Sequence, residues 1–109
     1  MNRNKNLPLT ETVYYILLSL LEPRHGYLIM QRIEELSGGH VRMAAGTLYG
    51  ALENLMKLQF IEPVPNQNSR RKIYMITDQG KEILKLEQER MAFLLEVTNQ
   101  LVEEGNKEL

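Results

Sequence analysis

Val13, Ile16, Leu17, Leu20 and Leu21 recur at helical spacing behind Thr10, a residue suited to capping, and Glu11, whose charge suits a first turn. Glu22-Pro23 ends this first predicted helix. Tyr14, Tyr15 and Leu18 lie off its stripe, so the helix is expected to bury more than one side. A second helix is predicted from about His25 to Ser37, with Ile29, Met30, Ile33 and Leu36 inward and Gly38-Gly39 available to stop it. After HVRMA, the stretch AAGTLYGALENLMKLQF predicts a third helix whose inward stripe is Leu48, Ala51, Leu52, Leu55 and Leu58.

The pattern then shortens. Phe60 to Val64 and Lys72 to Ile76 are β-prone runs on either side of PNQNSRR, a polar loop rich in turn formers, and together they predict a hairpin. Pro63 and Pro65 restrict the first run to a sheet edge or shorten it. Thr77 offers another cap with Asp78 beside it, and a helix is predicted from there to about Glu104. Along it Ile83, Leu84, Met91, Leu94, Leu95, Thr98, Leu101 and Val102 make one broad stripe, widened by Leu86, Phe93 and Val97. Three helices and then a hairpin is the order of a winged helix-turn-helix, in which the third helix enters the major groove. The predicted class is therefore mainly α (α+β): a winged helix-turn-helix body over residues 1–77 with a two-stranded wing, and one long dimerisation helix over 78–109.

Composition narrows the function classes. The 109 residues are 43% hydrophobic and 25% charged, which suits one compact domain with a modest core. There is no Cys, and His25 and His40 have no clustered carboxylates, so no metal site or cofactor is expected. The longest mostly apolar run, Val13 to Leu21, is far short of a membrane span, and MNRNKNLPL lacks the apolar stretch of a signal peptide, so a soluble cytoplasmic protein is expected. No Ser/His/Asp set and no glycine-rich phosphate loop stands out, and an enzyme is not expected. Net charge is −1, but it divides into +3 over residues 1–77 and −4 over residues 78–109. Halves of opposite sign suggest that the body meets an anion while the tail does something else.

On a helical wheel the third helix turns Gly46, Thr47, Tyr49, Gly50, Glu53, Asn54 and Lys57 outward. Glycine weakens a helix, and its compensation is access, since a bare backbone admits close approach. From this helix alone, a merely solvent-facing surface fits as well as DNA contact. The run Arg70, Arg71, Lys72 at the end of the wing loop tips the balance, because it can reach phosphates or a minor groove. The tail stripe outruns a body of fewer than eighty residues and needs a partner, most simply a second copy. Tyr14, Leu18, Met91, Leu94, Leu95, Thr98, Leu101 and Val102 are the expected dimer residues. His25, beside Gly26-Tyr27 at a helix start, reads as a capping or packing residue.

The stretches LTETVYYILLSLLEPRHGYLIMQRIEE, GTLYGALENLMKLQFIE and SRRKIYMITDQGKEIL resemble PadR-family transcriptional regulators, whose hallmarks include a helix opening G-T-L-Y and a wing ending R-x-Y-x-L/I-T-x-x-G. The match runs from Leu9 to Leu84. It implies a winged-helix repressor that dimerises through its C-terminal helix and binds double-stranded DNA at a pseudo-palindromic operator. It further implies Thr47 and Tyr49 as DNA contacts, Leu48 as core, and Arg70, Arg71 and Lys72 on the DNA backbone. Gly50, Asn54 and Lys57 complete the expected DNA face. Relatives often carry Ser or Thr at the start of the third helix and a basic residue near its middle, where this chain has Ala44-Ala45 and Glu53-Asn54. Some small relatives bind planar aromatic or phenolic compounds between subunits, which makes Met91 and Phe93 candidate ligand contacts. A winged-helix module that uses the Tyr49 and Gly50 face to hold a protein is the alternative from another class.

Overall fold

The computed structural model describes residues 4–67 and 70–105. Ser69 of the basic wing run and the outer ends of the two expected units, 1–77 and 78–109, lie outside the described residues. The elements are α1 (Glu11–Ser19), β1 (Arg24–His25), α2 (Gly26–Leu36), α3 (Ala45–Lys57), β2 (Ile61–Val64), β3 (Ile73–Ile76) and α4 (Asp78–Glu104).

Local chemistry explains where the helices begin. The Thr10 hydroxyl accepts the Val13 N–H at 3.1 Å, and the Thr77 hydroxyl accepts the Gly80 N–H at 3.0 Å. Each satisfies an amide that the first turn leaves without a partner. α3 starts at Ala44 with no side-chain cap, so packing must hold its first turn. The ends of α2 and α3 are closed by one device. Gly39 N–H bonds the Glu34 carbonyl and Gly38 N–H the Glu35 carbonyl; Phe60 N–H bonds the Leu55 carbonyl and Gln59 N–H the Met56 carbonyl. Both pairs are the bonds of a Schellman turn, which needs a left-handed residue after the cap. Gly38 supplies it with φ 62°, whereas the second turn uses Gln59 at φ 65°. Gln59→Gly is therefore expected to raise stability by about 0.5–1 kcal/mol, read as a higher urea midpoint with an unchanged slope.

The core joins α1 (Ile16, Leu17), α2 (Ile29, Ile33), α3 (Leu48, Leu52, Leu55), the sheet (Ile61, Tyr74, Ile76) and the start of α4 (Ile83, Leu84). Three residues of the expected stripes are not inside: Leu21 is 47%, Leu36 38% and Leu58 39% exposed. All three sit in or just after a final turn, where the helix has already left the core. Between α2 and α3 the Ser37 hydroxyl accepts the Val41 N–H at 2.9 Å, fixing the turn of the helix-turn-helix.

The expected two-stranded wing is present as β2 and β3, and a short third strand that was not expected joins it. The sheet has three antiparallel strands in the order β1-β3-β2, because Arg24 pairs with Tyr74 and His25 with Ile73. Arg24 is held there by its Nε, which donates to the Ser19 carbonyl at 2.8 Å. β2 is an edge strand, as Pro63 within it requires, with Pro63 opposite Tyr74.

One junction joins α3, the wing and the tail. Thr77 Oγ1 donates to the Gln59 carbonyl at 2.7 Å, and Thr77 N–H donates to the Phe60 carbonyl at 3.0 Å. Gly80 lies so close above that a Cβ there would collide with the Phe60 carbonyl oxygen and with Ile76 Cγ1. α4 then runs for 27 residues, with Gly80, Ile83, Leu84 and Glu87 buried and Met91, Leu94, Leu95 and Leu101 exposed.

Candidate nucleic-acid interface

α3 keeps Leu48, Leu52 and Leu55 inside, so helical geometry turns Gly46, Gly50, Glu53 and Lys57 furthest out. Thr47 and Asn54 flank this line on one side and Tyr49 on the other, and all three are exposed. Lys57 pairs with Glu53 at 3.8 Å, an exposed bridge between successive turns that ties up the one cation of the helix.

Tyr49 has a second attachment. An added Cβ on Gly26 would fall 2.5 Å from the Tyr49 hydroxyl oxygen and 2.9 Å from its ring carbon Cζ, so the tyrosine rests on the bare start of α2. Its outer side is still 50% exposed. Burial first, and the Tyr49 phenol second, push the Tyr74 phenol above its ordinary value. The glycine of H-G-Y and the tyrosine of G-T-L-Y are therefore in contact, with the tyrosine of the wing within electrostatic reach.

The wing reaches the same place. Arg71 Nη1 donates to His25 Nε2 at 3.5 Å, which makes that ring nitrogen the acceptor. His25 is the N-cap residue of α2 but makes no side-chain cap bond, so its ring serves the wing instead. The Asn66 amide donates to the Arg71 carbonyl at 3.0 Å and closes the loop. Arg70, Arg71 and Lys72 are all exposed.

The expected dimer residues gather elsewhere. Tyr14 and Leu18 are half-buried on α1 and, with Tyr15, Leu9 and Met91, line a cavity of about 490 Å³ between α1 and α4. Leu94, Leu95 and Leu101 continue the α4 stripe beyond it, 47%, 61% and 64% exposed. Thr98 donates to the Leu94 carbonyl at 2.8 Å, and Val102 is half-buried. Of the two candidate ligand contacts, Met91 lines the cavity and Phe93 does not.

Sequence reasoning missed two residues here. Glu87, 1% exposed, accepts the Leu9 N–H at 2.7 Å and takes both Nε and Nη2 of Arg90. A carboxylate inside an apolar stripe, on the same helical face as Leu94 and Leu101, was the readable signal. Gly26 gave none, since its contact is made by a residue on another helix. Among the described residues no group of side chains could hold a metal ion, and no helix is long and apolar enough to cross a membrane.

A helix-turn-helix with a β-hairpin after its third helix defines a winged-helix protein. The sequence pattern of the PadR-like family of transcriptional regulators matches residues 15–86, and the chain belongs to that family. A transcriptional regulator from Clostridium thermocellum is 30% identical with a TM-score of 0.68, over 83% of this chain and 89% of that one. A PadR family regulator from Clostridium difficile is 27% identical, with a TM-score of 0.64, over 83% and 97%. An uncharacterised 37.1 kDa protein in a transposon of Streptomyces fradiae is 39% identical over 72 residues, and this chain spans 20% of that protein's length.

Proposed function

We propose that the protein is a homodimeric, DNA-binding repressor that reads a pseudo-palindromic operator with α3 in the major groove and the wing cations on the phosphates. The observation that carries this reading is the chain of contacts from Arg71 to His25, adjoining Gly26, and from Gly26 to Tyr49. It sets the wing's basic base beside one flank of the outward face of α3, so that a helix in a groove and cations on its backbone can engage together. Charge comes from the wing because α3 has only Lys57, already paired with Glu53.

The dimer is supported by α4, whose apolar face is covered as far as Glu87 and uncovered from Met91 onward. A second copy brings the same stripe and the same α1 groove, as an isologous contact requires. On this reading the body ends near Thr77 and the tail from Asp78 carries the pairing. A small aromatic ligand against Tyr14, Tyr15 and Met91 would release DNA by changing the separation of the two recognition helices.

The experiment is a titration of duplex DNA from upstream of the protein's own gene at several salt concentrations, with stoichiometry measured. Two chains per duplex are expected. Arg71→Ala should weaken binding across sequences and lower the salt slope by about one per lost contact, hence about two per dimer. Binding with an unchanged slope would remove Arg71 from the phosphates, and no binding to any duplex would favour the protein-interaction module.

A further inference from the structure

The most outward line of α3 begins with Gly46 and Gly50, one turn apart. A Cβ on either would meet nothing within 4 Å, and neither has the positive φ that favours glycine. Both sit inside a regular helix, where alanine is the better former. Neither packing nor backbone conformation in this chain calls for a bare position at either site. Something outside the chain is left to account for both.

Beside the strip stand Thr47 and Asn54, whose hydroxyl and amide make no hydrogen bond among the described residues. They are seven residues apart, about 10.5 Å along the helix, or about three base-pair steps. Both side chains are short. A helix held off by large outward residues would keep them away from base edges, whereas a bare strip brings its axis closer. The amide of Asn54 offers a donor and an acceptor that match adenine N6 and N7, and the methyl of Thr47 suits a thymine methyl. One turn further on, the outward line continues with Glu53 and Lys57, joined by an exposed bridge at 3.8 Å, so the bare strip is confined to the first two turns.

We propose that the Gly46 and Gly50 strip sets how deeply α3 enters the groove, and that Asn54 beside it reads an adenine in each half-site. This rests on the DNA-binding reading above. Duplexes selected by the wild-type protein from a randomised pool are the probe. Gly50→Ala is expected to keep or raise the melting temperature while weakening the selected duplex at least tenfold. The wild type should lose roughly tenfold when one A·T pair per half-site becomes G·C, and Asn54→Ala should bind both forms alike. Full affinity in Gly50→Ala, or an unchanged base preference in Asn54→Ala, overturns the assignment. If the wild type enriches no duplex, the DNA-binding reading falls and this inference with it.

Discussion

Gly80→Ala is expected to lower the melting temperature by roughly 15 °C at fixed protein concentration, a loss of about 3 kcal/mol. A Cβ at this position meets the Phe60 carbonyl oxygen, a backbone atom already engaged by the Thr77 N–H, together with Ile76 Cγ1. Neither is the far end of a flexible side chain. Relief requires the start of α4 to lift, which stretches the Thr77 bonds to Phe60 and Gln59 together. Gly46→Ala is the matched control, since its Cβ meets nothing and alanine is the better helix former. A circular-dichroism melt in which Gly80→Ala stays within a few degrees of wild type would refute the close approach.

Glu87→Ala is the second large effect, expected to cost about 1–3 kcal/mol in denaturant unfolding through the amide it leaves without an acceptor. The carboxylate is buried and holds the Leu9 N–H and the Arg90 guanidinium, whose side chain is 18% exposed. Removing the acceptor strands the Leu9 amide and releases the guanidinium, which can turn to solvent. Glu87→Gln keeps an acceptor for Leu9 and should lose less. Replacing both partners, as Glu87→Leu with Arg90→Met, should recover part of the deficit, leaving one amide unsatisfied. If the single Ala variant were as stable as wild type, the pair would not hold the amino-terminal segment to α4.

How much of this was legible follows from the range of each interaction. Thr10 and Thr77 cap within three residues, and both helix starts were readable from a hydroxyl ahead of an apolar repeat. Gly38-Gly39 gave the end of α2 for the same local reason, and the predicted end of the tail at Glu104 matches α4. β1 was not legible, because two residues show no alternation and Arg24–His25 is a strand only by virtue of Tyr74 and Ile73. The outward residues of α3 followed from periodicity. The seat of Tyr49 on Gly26 did not, since it joins residues 23 positions apart whose helices meet only when folded.

The junction of Gln59, Phe60, Thr77 and Gly80 has a mechanical meaning. A capped helix start pinned by two carbonyls and a steric stop is a poor hinge, so α4 should turn with the body instead of flexing against it. Its 27 residues make a rigid arm about 40 Å long. In a dimer joined through the far part of that arm, the two recognition helices would change their separation by whole protomers pivoting at the seam. A tilt of a few degrees there would be magnified along the arm into a displacement of several ångströms at the groove.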